Sequence, residues 1–163
     1  MKDKILCNAS PLIFLSKIGR LHLLRDLFSV IFIPDGAWGE ATRKHDDATK
    51  SLQALKNSGK LVVFSVQNKV AVAAMIGRLH LGEVEVIVGA GELGILDVIL
   101  DDGYARNKAK QMGLAVTGTL GILIAGYKAG IIDDLDSEID SLRGIGFRIS
   151  ASVIEQLRNM FGK

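Results

Sequence analysis

The sequence predicts an α/β domain built on a mostly parallel sheet of four or five strands. Two observations carry this. Short apolar, β-branched runs recur along the chain with helix-patterned segments between them, the alternation expected of parallel strands joined by crossover helices. The 163 residues contain no Pro/Ser-rich linker and no internal repeat, so residues 1–163 read as a single domain, long enough to bury a substantial core.

The elements follow in order. "KILCN" is a short buried strand, and "SPLIFLSKI" a helix with Ser10 as N-cap and Pro11 at the first helical position. Residues 21–28 form a second short helix. "VIFIP" is the next strand, ended by Pro34, and hands over to a helix holding Trp38 and Glu40. A polar helix over 48–58 stops at Gly59, "LVVFSV" is a candidate edge strand, and a helix runs from about Asn68 to Leu79.

Residues 83–102, "EVEVIVGAGELGILDVILDD", allow two readings. Gly89, Gly91 and Gly94 spell the G-x-G-x-x-G of a dinucleotide-binding turn. That fingerprint needs a helix opening at the third glycine. Here Ile95 to Leu100 read at once as a buried strand closing on Asp101 and Asp102, which leaves no room for it. As a helix the stretch is coherent, because Val84, Ile87, Val88, Gly91 and Ile95 share one face. Glu83 and Glu85 then stand in its first turn, where the helix dipole favours carboxylates. "ARNKAKQM" is a basic helix closed by Gly113, "LAVTG" a strand, and "TLGILIAGYKAG" an apolar helix with Thr119 as its cap. The tail reads as a helix around "DLDSEIDSL", an extended "GFRIS", and an amphipathic helix with a Ser152/Glu155 capping box.

Composition narrows function. A net charge of +2, from 20 Lys+Arg against 18 Asp+Glu, gives no global field for nucleic acid, so any such contact needs a local patch. Aromatic residues, at 6%, are too few for a base-stacking platform. One cysteine, Cys7, precludes an internal disulfide and suits a reducing, cytoplasmic setting; within an apolar strand it reads as buried and inert. The longest uncharged run, Gly113 to Tyr127, is shorter than the roughly 20 residues a membrane helix needs, so no membrane association is expected.

In open parallel sheets ligands bind beyond the carboxyl ends of the strands. The polar residues there are Asn8, Glu40, Glu83, Asp101 and Asp102. Oxygen ligands without a histidine or cysteine pair suit a hard cation, Mg²⁺ or Mn²⁺, which in turn suits phosphodiester chemistry. Arg106 and Lys110, four apart on the basic helix, form either a solvated face or a phosphate-tracking patch. Ser10 and Thr119 are caps first and substrate contacts second.

"CNASPLIFLSKIGRLHLL", "IPDGAWGEA", "RLHLGEVEVIVGAGELG", "VILDDGYARNKAKQMGLAVTGTLGIL" and "KAGII" resemble, in order and spacing, a prokaryotic PIN-domain subfamily related to the VapC-type toxins, over about residues 5 to 150. The resemblance implies a three-layer α/β/α nuclease fold and RNA cleavage with Mg²⁺ or Mn²⁺. By position it implies Glu40 and Glu83 as two of the metal acids, with the last from Asp101 or Asp102, Asp102 being favoured. It further implies a homodimer and, if the chain is the toxin of a toxin-antitoxin pair, a small antitoxin protein as partner.

The sequence departs from that pattern at the end of the first strand, where Asn8 stands in place of the usual Asp. Asn can still ligate through its carbonyl oxygen, but the site has one negative charge fewer and metal affinity is expected to fall. Two functions therefore stay open: a metal-dependent endoribonuclease, and a PIN-fold module that holds RNA or a protein partner and cuts slowly or not at all.

Overall fold

The computed structural model describes residues 2–162. The chain alternates strands and helices as β1 (Lys2–Cys7), α1 (Ala9–Lys17), α2 (His22–Leu27), β2 (Phe28–Pro34), α3 (Asp35–Ala41), α4 (Asp47–Asn57), β3 (Leu61–Phe64) and α5 (Lys69–Met75). It continues as α6 (Leu81–Leu93), β4 (Asp97–Ile99), α7 (Gly103–Gln111), β5 (Ala115–Thr117), α8 (Thr119–Lys128), α9 (Leu135–Gly144) and α10 (Ala151–Phe161). The five strands form one sheet in the order β3-β2-β1-β4-β5, and every pair is parallel. "LVVFSV" thus supplies the fifth strand, at an edge as its position in the sequence suggested.

Both faces of the sheet are covered, and the strand alternation shows how. Ile5 and Cys7, with Ile31 and Ile33 alongside, point into a core shared with α1, α2, α4, α8 and α9. Leu6 and Val98 point the other way, into a second core with α5, α6 and α7. Successive strand side chains face opposite layers, so a strand buried on both faces is apolar throughout. This is the three-layer α/β/α arrangement. Helix α6 is enclosed through its middle: every residue from Glu83 to Ala90 is buried. Among the described residues no helix is long and apolar enough to cross a membrane.

The glycines of the 89–94 stretch have separate causes. A methyl on Gly89 would stand 2.7 Å from the Phe64 ring, so this glycine lets α6 lie close against β3. Gly94, at φ +68, is the left-handed cap that ends α6. No helix opens at it, as the spacing argument required.

Several expected boundaries move. Helix α1 begins at Ala9 with Asn8 in the cap position, so Ser10 is not the N-cap; Pro11 falls within the first turn, where its missing N–H is tolerated. Thr119 is likewise the first residue of α8, capped by Gly118. The last helix is capped by Ser150, whose Oγ accepts from the Val153 N–H at 3.3 Å, in place of the Ser152/Glu155 box. "GFRIS" forms no strand, the α5 helix stops at Met75, and only Asp97–Ile99 of the 95–100 run forms the strand, where it pairs with the last two residues of β1 and with the three-residue β5.

Candidate active site

The carboxyl ends of β1, β2 and β4 bring the expected polar residues to one edge. Asn8 follows β1 directly, its backbone N–H donating to Ile99 O at 3.2 Å, which ties the end of β1 to β4. Glu40 rides on α3 after β2, and Glu83 lies in the first turn of α6. The residue that lets these meet is Gly82. A methyl there would stand 2.8 Å from Asn8 Oδ1 and 3.7 Å from Glu40 Oε2, so the two side chains from β1 and α3 converge on the space a larger residue would fill. In the sequence Gly82 carries no signal beyond its place immediately before Glu83.

Two of these oxygens are buried without a hydrogen-bond partner: Asn8 Oδ1 and Glu83 Oε2. Glu83 is only 5% exposed. Burial pushes its carboxyl above the ordinary glutamate range, and the adjacent Asp102 carboxylate adds to the rise, while the neighbouring His80 pulls it back. A buried acceptor left unpaired costs about 1–3 kcal/mol, so each of these oxygens is poised for a donor or a cation.

The two aspartates after β4 differ in surroundings. Asp101 is clamped: Oδ1 accepts the Thr119 N–H at 2.7 Å, Oδ2 accepts the Thr119 hydroxyl at 2.6 Å, and the Ser10 hydroxyl lies 3.5 Å from Oδ2. Burial raises its carboxyl, and the Thr119 bonds, Arg106 and Ser10 oppose that. Asp102 is exposed, and its Oδ2 caps α7 by accepting the Ala105 N–H at 2.9 Å. Asp102 uses Oδ2 in the cap and lies against the Glu83 carboxyl, whereas both oxygens of Asp101 are engaged with Thr119.

The residues expected to meet substrate separate in the same way. Thr119 is fully buried and cannot reach a substrate; its role is to hold Asp101. Ser10, half-buried, also faces Asp101. Arg106 donates from Nη1 to Leu100 O at 2.9 Å and lies beside Asp101 across Gly118. Lys110 is exposed eight residues along α7 from Asp102, about 12 Å along the helix axis, and does not join the cluster. Cys7 is fully buried beneath the site, and burial holds its thiol protonated, as its apolar strand implied.

As placed, no three His, Cys, Asp or Glu side chains among the described residues close around one point. The donors form two neighbouring pairs, Asn8 with Glu40 at Gly82, and Glu83 with Asp102. The all-oxygen donor set, the unpaired buried oxygens and the space above Gly82 fit a hard divalent cation.

An all-parallel α/β/α fold with carboxylates gathered at the carboxyl edge beside the first strand defines a class of nuclease-like domains. A family model, DUF3368, described as a PIN domain, matches residues 4–163, and the chain belongs to that family. PIN domains are, as a family, metal-dependent nucleases. No curated protein and no solved structure matches the chain.

Proposed function

We propose that the protein is a metal-dependent endoribonuclease that hydrolyses phosphodiester bonds at the edge formed by Asn8, Glu40, Glu83 and the Asp101/Asp102 pair. The observation that carries the reading is the pair of unpaired, buried oxygens, Asn8 Oδ1 and Glu83 Oε2, facing the carboxyl edge of a PIN-domain sheet. Asn8, Glu40, Glu83 and Asp102 would hold the Mg²⁺ or Mn²⁺ ion. When bound, the ion neutralises phosphate charge and lowers the pKa of an attacking water.

The chain's own groups set the rest. Asp101, fixed by Thr119, ties the end of β4 to the start of α8, and Arg106, held by Leu100 O beside it, would offer its guanidinium to a non-bridging phosphate oxygen. Gly82 keeps the approach between Asn8 and Glu40 open. A role as the toxin of a toxin-antitoxin pair, with an antitoxin protein partner, a homodimeric state and a cytoplasmic location, accords with the resemblance to VapC-type proteins and with the single buried cysteine.

A second reading rests on Asn8. A neutral ligand in the first position weakens cation binding, which favours a PIN-fold module that holds RNA or a protein and cuts slowly. Cleavage of a labelled single-stranded RNA in Mn²⁺, with Glu83→Gln prepared identically, separates the two. Cleavage lost in the variant supports the nuclease. Equal cleavage by both proteins, or none by either, favours the binding module.

A further inference from the structure

Asp101 also lines a groove of about 580 Å³ that lies on the β5 side of the candidate site. Its floor is aliphatic, from Leu120 and Ile124 of α8 and Val153 of α10, and its walls carry Arg106 and Arg148. The outer wall, residues 146–150, is pinned by Phe147, whose ring meets that of Phe14 edge-on at 5.0 Å between centroids. A shallower depression on the same wall adds Arg143. Asp101 is the sole acid among the described residues lining either hollow. Arg143 and Arg148 are exposed and form no ion pair among the described residues.

We propose that this groove holds the nucleotide adjoining the scissile phosphate of a single-stranded RNA, an inference that rests on the nuclease reading for its position but not for its chemistry. Three features commit it to that occupant. The volume suits one nucleoside. The guanidinia offer planar, bidentate donors to successive phosphates, with Arg106 placed at the site and Arg143 and Arg148 leading away from it. The apolar floor accepts the flat face of a base only after that base has left its stack, which selects single strands over duplexes. The opposite flank, beyond Glu40, carries Lys17, Arg43 and Lys44 together with Asp46, so it too has more cations than acids to offer a strand crossing the sheet edge.

The test is binding of a fluorescein-labelled single-stranded RNA in EDTA, read by anisotropy, so that affinity is measured without cleavage. The double variant Arg143→Ala/Arg148→Ala, altered only at exposed side chains, should bind about tenfold more weakly or worse. Its log-log salt dependence should be shallower by about 1.4, the value for two phosphate contacts on a single strand. Val153→Trp, which fills the floor, should weaken binding without changing the salt slope, and a duplex of the same sequence should compete poorly. Affinity unchanged within about twofold in both variants overturns the proposal, as does absence of RNA binding by the wild type. If the wild type cleaves RNA and the double arginine variant matches its kcat/KM, the nuclease stands and the groove falls. If groove-dependent binding is found without Mn²⁺ cleavage, the groove stands as a single-stranded RNA site and the nuclease reading, with the scissile phosphate, falls.

Discussion

Replacing Thr119 with valine tests whether Asp101 is held by the clamp seen in the structure. The substitution keeps the shape of a fully buried side chain and removes the hydroxyl that donates to Asp101 Oδ2 at 2.6 Å; the backbone N–H to Oδ1 remains. A hydrogen bond to a charged group contributes about 1.5–3 kcal/mol, and its loss leaves Oδ2 with only the long contact to Ser10. A loss of about 2 kcal/mol is expected at neutral pH, or a Tm lower by roughly 4–8 °C for a chain of this size. Thr119→Ser keeps the hydroxyl and loses only a buried methyl, at a cost of about 1 kcal/mol that does not vary with pH.

The pH dependence is the sharper readout. Burial already raises the folded-state pKa of Asp101 against the opposing Thr119 bonds. Valine removes one of those bonds and raises it further. The penalty of the substitution therefore grows as pH rises through the folded-state pKa and is smallest near the unfolded aspartate value of about 4. Thermal melts of wild type, Thr119→Val and Thr119→Ser from about pH 4 to 8 measure it. Equal, pH-independent losses in both variants would refute the clamp.

Three further outcomes follow from the site. Asn8→Asp restores a negative charge beside Glu40 and should tighten Mn²⁺ binding in calorimetry; unchanged affinity removes Asn8 from the site. Gly82→Ala places a methyl 2.8 Å from Asn8 Oδ1 and should weaken Mn²⁺ binding by about tenfold while the fold persists; wild-type affinity would show that the Asn8–Glu40 approach is irrelevant to the ion. Glu85 is buried with Oε1 unpaired and packed on Gly36, and burial together with the Asp35 charge raises its carboxyl. Its ionisation thus opposes folding: the benefit of the neutral form is full below the unfolded glutamate pKa and is lost as pH rises through the folded value. Glu85→Met should accordingly raise the Tm of the metal-free protein more at pH 8 than at about pH 4, and a pH-independent change would show that Glu85 finds a partner when charged.

The sequence by itself determined the α/β class, the order of the elements, and the residues that end strands at the carboxyl edge. These are local properties. Ile5, Leu6 and Cys7 are apolar in unbroken succession because both faces of their strand are buried. No phosphate-binding helix opens at Gly94, because the apolar run from Ile95 follows at once. Glu83 is legible because a carboxylate in a first turn is either a dipole partner or a ligand, and both readings name the same residue.

Only the tertiary structure decided what depends on side chains distant in sequence. The roles of Asp101 and Asp102 cannot be divided from the dipeptide, since the division is made by Thr119, 18 residues on, which clamps one and leaves the other to cap α7. Thr119 itself changed from cap to clamp for the same reason. Gly82 gains its meaning from Asn8 and Glu40, delivered by two other elements, and the groove from arginines on α7 and on the segment before α10. Periodicity records which side of an element is buried; it carries no record of which partner lies across the gap, because that is fixed only when the parallel strands set the order in which helix termini meet at the sheet edge.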